Sequence, residues 1–286
     1  MLRPLLSRHL VFRSVDIMKT KRFKTSLTAV LLALGLSSAA PILSAEGGVA
    51  EAPQTAEPRE YALERHTLHM GTLINAKLFG ATPEAVKHYA IVFEDKVTDY
   101  DDLMSVHKDT PLNEVNRRAG EPVEVPCEIA DMTKQALAIA DETNGAFEPM
   151  IGPVVNLWKI GFGGEHVPSD EAIAEAVSKV DRSKVRVWRE GGRCMMQIAK
   201  GQSIDMGAIA KGFIGQRLSD ILKHEGMTRG VLNLGGNIVA VGEKSAGRPW
   251  RIGIQHPAES RGGYFAVASV KDESCLLYTS PSPRDA

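Results

Sequence analysis

The chain has 286 residues, 43% hydrophobic and 24% charged, enough apolar content for a sizeable core, which sets disorder aside. A formal net charge of -1 excludes the concentrated basic footprint that a nucleic-acid backbone demands. With Cys127, Cys194 and Cys275 as the only cysteines, a multi-bridge framework and a CxxC metal pair are excluded, while a Cys127–Cys194 pair stays open.

Residues 1–17 precede a complete secretory pattern and are expected to be a start extension. Within residues 18–45, Lys19, Lys21, Arg22 and Lys24 come before an apolar run at 29–36, and small residues follow to Ala45, the order of a signal peptide. That run is shorter than the ~20 residues that cross a bilayer, so the mature chain is expected to be exported, facing the periplasm, without a stable membrane span. No cysteine near the cleavage region offers a lipid anchor. Residues 46–60 are polar and aperiodic, a linker, and the working domain is expected over 61–274.

Inside it, residues 67–79 alternate loosely as a strand or a hairpin bent at Gly71. Residues 83–104 and 126–143 carry apolar side chains at helical spacing, the second ending at Asn144-Gly145. A short helix follows at 169–180 with Ser169 as its cap, then strands at 185–188 and 194–199 around Glu190-Gly191-Gly192. Residues 208–225 repeat the helical spacing and stop at Gly226. Short strands are expected at 231–234, 238–241, 250–254 and 264–270. Helices and strands mix without βαβ alternation, which predicts an α+β fold of mixed sheets and packed helices in one domain.

Three segments promise chemistry. SIDMGAIAKG, residues 203–212, brings a strand-like approach to Asp205, a turn at Gly207 and a helix whose first amides lack partners, an anion site to which Lys211 adds a charge. The same residues serve equally as a plain helix cap with Lys211 in solvent. VLNLGGN, residues 231–237, sets Gly235 and Gly236 between two strands, either to admit a ligand close to the backbone or to make a tight turn. GAFEPMIGPVVNLWKIGF, residues 145–162, mixes Gly, Pro and large apolar residues without a period, as in an irregular pocket wall or a structural loop.

Together with Met70-Gly71-Thr72, the stretch LMSVHKDTPLNEVN at 103–116 and GRPWRIGIQHP at 247–257, these segments resemble, in order, the motifs of the FAD:protein FMN transferases, a family formerly described as thiamine-biosynthesis lipoproteins. The resemblance implies that Met70, His107, Ala146, Phe147, Glu148, Asp205 and Lys211 touch FAD, and that the backbone carbonyl of Ala208 faces Mg²⁺. It also implies the reaction: a threonine of a partner flavoprotein, expected to be a subunit of an electron-transport complex, takes FMN from FAD and AMP leaves. His107 stands where the family has an aromatic residue, Glu148 where Asp is commoner, Met150 in place of Thr, and Lys159-Ile160 interrupts a WGFG run.

Further on, the family continues with a TSGxY segment, an HHIxDPxTGxP segment carrying the histidine assigned as base, and an acidic segment that binds Mg²⁺. This sequence contains none of them, and Tyr278-Thr279-Ser280 echoes only two letters of the first. The domain is therefore expected to be incomplete at its C-terminal end, residues 275–286 foreign to it, the catalytic base outside the chain, and transfer by this copy impaired. Alternatives at this stage are an FAD pyrophosphatase that uses water in place of threonine, a non-catalytic flavin-binding protein, and an exported structural protein.

Overall fold

A computed structural model describes residues 60–104, 108–159, 167–256 and 263–276. Residues 1–59, with the expected signal peptide, and His107 lie outside the described residues.

The chain opens with β1 (Tyr61–His69) and β2 (Thr72–Gly80), an antiparallel hairpin in which His69 faces Thr72 across a two-residue turn. Met70 and Gly71 both take positive φ, +51° and +66°, the arrangement whose twist suits a tight hairpin. The helix α1 (Pro83–Met104) follows with Pro83 in its first turn, where its missing N–H costs nothing. Its stripe of Val86, Phe93 and Val97 is fully buried under the hairpin.

The short helix α2 (Pro111–Arg117) was not anticipated. Thr110 caps it by accepting from the Asn113 N–H at 3.3 Å, and Pro111 fills the first position. β3 (Val123–Val125) leads into α3 (Cys127–Glu142), which ends as expected. Asn144 is left-handed at φ +52°, and the Gly145 N–H reaches back to the Ala140 carbonyl at 2.8 Å.

The aperiodic stretch after Gly145 is more regular than its composition promised. A 3-10 turn at Pro149–Ile151 runs into α4 (Gly152–Trp158). Gly and Pro fall at helix starts there, where they are tolerated, so they punctuate the helices without breaking them.

Next come α5 (Asp170–Ser178), capped by Ser169, the hairpin β4 (Arg186–Glu190) and β5 (Arg193–Gln197), and α6 (Ala210–His224). Four strands follow, β6 (Gly230–Leu234), β7 (Asn237–Val241), β8 (Trp250–Gln255) and β9 (Tyr264–Val270), then β10 (Ser274–Leu276). In β10 Cys275 pairs with Ile238 of β7, so the boundary expected at residue 275 falls inside a strand.

The sheets are antiparallel and the fold is α+β, as predicted. The main sheet runs β1-β2-β6-β7-β10, a second runs β3-β5-β4, and β8 with β9 forms a ribbon. α1 and α6 cover one face of the main sheet, where Ile74, Leu78, Leu232 and Leu234 meet Phe93, Ile214 and Leu218 in the principal core. Trp250 and Val270 from the ribbon cover part of the other face through Ala240. The second sheet packs on α3, and Cys127 is bonded to Cys194 of β5, with Cα atoms 5.3 Å apart. Among the described residues no helix is long and apolar enough to cross a membrane.

Candidate functional site

The core layout sends the glycine-rich motifs to one end of the main sheet. β2 pairs with β6 so that Ile74 faces Leu234, which sets the Met70-Gly71 turn beside the turn joining β6 to β7. In the latter Gly235 and Gly236 have φ of +63° and +97°, and the Gly236 N–H donates to Asn233 Oδ1 at 2.7 Å. The turns are packed tightly: a Cβ on Gly235 would lie 2.4 Å from Thr72 Oγ1. Both a left-handed backbone and a close approach therefore call for glycine there. α6 packs on β7 with Gly215 against Val239 and Gly212 near Asn237, bringing the start of that helix to the same end.

The segment leading into α6 is held from two sides. Asn116 of α2 brackets Ile204: its Nδ2 donates to the Ile204 carbonyl at 3.0 Å, and the Ile204 N–H donates to its Oδ1 at 2.8 Å. The next amide, that of Asp205, donates to the Pro149 carbonyl at 2.8 Å. Asp205 then turns the chain, accepting the Gly207 N–H on Oδ1 at 2.7 Å, a side-chain turn of the Asx kind.

Helical bonding starts where the Met206 carbonyl accepts from Ile209 and Ala210. α6 itself begins two residues later than its expected start at 208, and no side chain caps it. Lys211 projects half-buried from its first turn and forms no ion pair with another described residue. Asp205 takes the Gly207 amide, and the rest of the helix start, with Lys211 beside it, is suited to an anion.

The third wall is the turn after α3. Ala146 is exposed and Phe147 is half-buried against the core. Their amides donate to the Thr143 carbonyl and hydroxyl at 3.1 and 3.2 Å. Glu148 spends both oxygens on the protein: Oε1 accepts the Met150 N–H at 3.0 Å, and Oε2 lies 2.9 Å from Arg182, which also holds Asp141 at 2.9 Å. Thus Glu148 is a strut that shapes its wall, a duty that its resemblance-based role did not foresee.

Arg182 and Asp101 carry no motif signal of their own, and Asn116, which closes the 103–116 stretch, is given no individual role by the resemblance. α4 touches the 203–207 segment as well. A Cβ on Gly152 would lie 2.5 Å from the Ser203 carbonyl oxygen. Gly152→Ala is accordingly expected to push that segment aside, lowering stability by about 1–3 kcal/mol. Thermal unfolding of the variant checks this, and an unchanged melting temperature would show the contact to be soft.

Of the predicted residues, the structure brings Met70, Asp205, Ala208 and Lys211 to the sheet end and ties Ala146, Phe147 and Glu148 to them through the Pro149–Asp205 bond. Ala208 is exposed just outside α6. Mg²⁺ requires a near-octahedral array of oxygens, and among the described residues no group of three or more His, Cys, Asp or Glu lies together to hold a metal. One carbonyl does not make such a site, so these residues do not fit a resident Mg²⁺, and no chemical step is derived through it. A cavity of about 750 Å³ lined by Asn116, Pro153, Asn156 and Ser203 opens behind the cradle, away from Met70 and Lys211.

Fold and site define an α+β protein of antiparallel sheets in which two glycine turns and a helix start share one edge. Solved structures share that architecture. The flavin transferase ApbE of Vibrio cholerae matches with a TM-score of 0.63 at 26% identity, over 75% of this chain and 71% of that one. An ApbE protein from Thermotoga maritima, at 24% identity, has the same fold with a TM-score of 0.65, over 75% of this chain and 69% of that one.

The chain belongs to the ApbE family, whose model matches residues 70–284. The FAD:protein FMN transferase of Treponema pallidum is 33% identical over 248 residues, 82% of this chain and 67% of the relative. That of Salmonella typhimurium is 29% identical over 247 residues, 83% and 69% respectively.

Proposed function

We propose that this chain binds FAD at the sheet end and transfers its FMN moiety to a threonine hydroxyl of an acceptor flavoprotein. In that step the hydroxyl oxygen bonds to the FMN phosphorus, and the bond from that phosphorus to the bridging oxygen breaks. AMP departs with the bridging oxygen and its electron pair, and the hydroxyl proton passes to a base that none of the placed site residues supplies. The residues of this chain bind and orient. The Ala208 amide at the helix start and the Lys211 ammonium take the diphosphate, Asp205 fixes the turn that presents them, and Met70 and Phe147 offer apolar surface to the rings.

One observation carries the reading: the Met70 turn, the Gly235-Gly236 turn and the segment that opens α6, far apart in sequence, meet at one end of the main sheet. The relatives' names favour transfer over the hydrolytic and non-catalytic alternatives.

We place the chain on the exported side of the cytoplasmic membrane, with an electron-transport subunit as acceptor. The secretory pattern of residues 18–45 supports this, and so does the Cys127–Cys194 bond, a chemistry of oxidising compartments.

The test is incubation of the chain with FAD, Mg²⁺ and an acceptor subunit, followed by intact-mass analysis. The expected result is an acceptor heavier by one FMN, formed in low yield because none of the placed site residues supplies the base, and lost when its threonine is replaced by valine. AMP release with an unmodified acceptor would replace transfer by hydrolysis, and FAD left intact would remove the catalytic reading.

A further inference from the structure

The buried stripe of α1 contains a carboxylate. Asp101, one turn beyond Val97, is 5% exposed, and an ionised group so placed is stable only with close partners. They come from two directions. The Met70 N–H donates to Oδ1 at 2.8 Å, and His69 Nδ1 lies 3.2 Å from Oδ2. Lys108 Nζ sits 2.7 Å from the same Oδ2 and 2.6 Å from Asp102.

Burial alone would raise the Asp101 carboxyl. The bonds from Lys108, the Met70 amide and His69 outweigh it and hold the group below the usual carboxylate range. Its contribution to stability is therefore present above the unfolded value and lost as pH falls through the lower folded one.

Met70 is a non-glycine residue in the left-handed region, φ +51°, a conformation that side chains other than glycine rarely adopt. Few side chains point back at such a turn, and here a charged one accepts its amide. We propose that Asp101 is a positioning residue for flavin-nucleotide recognition: it locks the Met70 turn in shape and holds His69 and Lys108 on its other oxygen. The inference rests on the reading of Met70 as an FAD contact. Asp101 reaches no reacting atom; it acts through the turn, which borders Gly235 and the cradle.

Asp101→Asn preserves shape and an acceptor for Met70 but removes the charge that gathers Lys108 and His69. FAD is titrated into the wild-type and variant chains by flavin fluorescence. Visible circular dichroism of the bound flavin is then recorded at saturation, beside thermal unfolding. The variant is expected to bind FAD about tenfold more weakly and, once saturated, to show an altered flavin spectrum, which mere loss of stability does not produce.

Two further comparisons avoid the core. Lys108→Met, on a half-exposed side chain, is expected to weaken binding about threefold. His69→Gln, which still donates to Asp101, is expected to bind as wild type does, whereas His69→Ala is not. Wild-type affinity and spectrum in Asp101→Asn and Lys108→Met overturn the inference alone. A wild-type chain that takes up no FAD overturns the reading of the site and the inference with it. If Asp101→Asn does not fold, the Lys108 and His69 variants decide by the same criteria.

Discussion

Asp205→Ala combined with Lys211→Met is expected to weaken FAD binding about a hundredfold while leaving the unfolding temperature nearly unchanged. Two separate losses make up that figure. Without the Asp205 carboxylate the Gly207 amide loses its 2.7 Å partner, and the turn that aims the helix-start amides becomes one conformer among several. Without Lys211 the diphosphate loses its one nearby cation on α6. Charge-assisted bonds of this kind contribute about 1.5–3 kcal/mol each, and a factor of ten per residue lies at the modest end of that range.

The two contributions are separable. Asp205→Asn keeps an oxygen for Gly207 and is expected to lose much less than Asp205→Ala. The Lys211 part fades as salt rises, because screening acts on the charge and not on the turn. Both side chains are only half-buried and lie outside the main core, so binding and stability are read independently. Wild-type affinity in the double variant would remove the cradle, and the transferase reading built on it.

The second large effect concerns the frame. Replacing Cys127 and Cys194 together by serine, or reducing their bond, is expected to lower stability by about 2–5 kcal/mol, since the link closes a loop spanning a sequence separation of 67 residues. Cys194 is 3% exposed, so serine adds the cost of a hydroxyl in an apolar setting. Urea unfolding with and without reductant measures the difference. Below the unfolding transition, FAD affinity is expected to hold, because Asn116 and the Pro149 carbonyl, not the disulfide, fix the 203–207 segment. Coincident transitions in the two conditions would show the link to be energetically idle.

Much of this architecture was legible beforehand. α1 has the bounds that its spacing predicted, and the two-residue turns at Met70-Gly71 and Gly235-Gly236 stand where left-handed backbone was needed. Periodicity reads well wherever an element buries one face. It failed at α2 and β3, too short to complete a period, although Thr110-Pro111 carried a cap signal that was passed over. It also failed at 149–158, where Gly and Pro suggested loop but occupy helix starts.

The site was legible as a set of segments and not as contacts. Nothing local says that Asn116 grips Ile204, 88 positions away, or that Arg182 occupies Glu148. Asp101 is an intermediate case: a carboxylate four residues after Val97 on an apolar stripe is an anomaly visible in the string, and its meaning appeared only with Met70, His69 and Lys108 around it.

The pairing of β2 with β6 carries a temporal consequence. Residues 74–78 find their neighbours only at 230–234, so a chain emerging N-terminus first holds its opening hairpin without a companion until most of the polypeptide is out. Such distant pairings form late. A half-emerged molecule consequently has neither the second glycine turn nor the last helix start, and it cannot capture a dinucleotide before its fold closes.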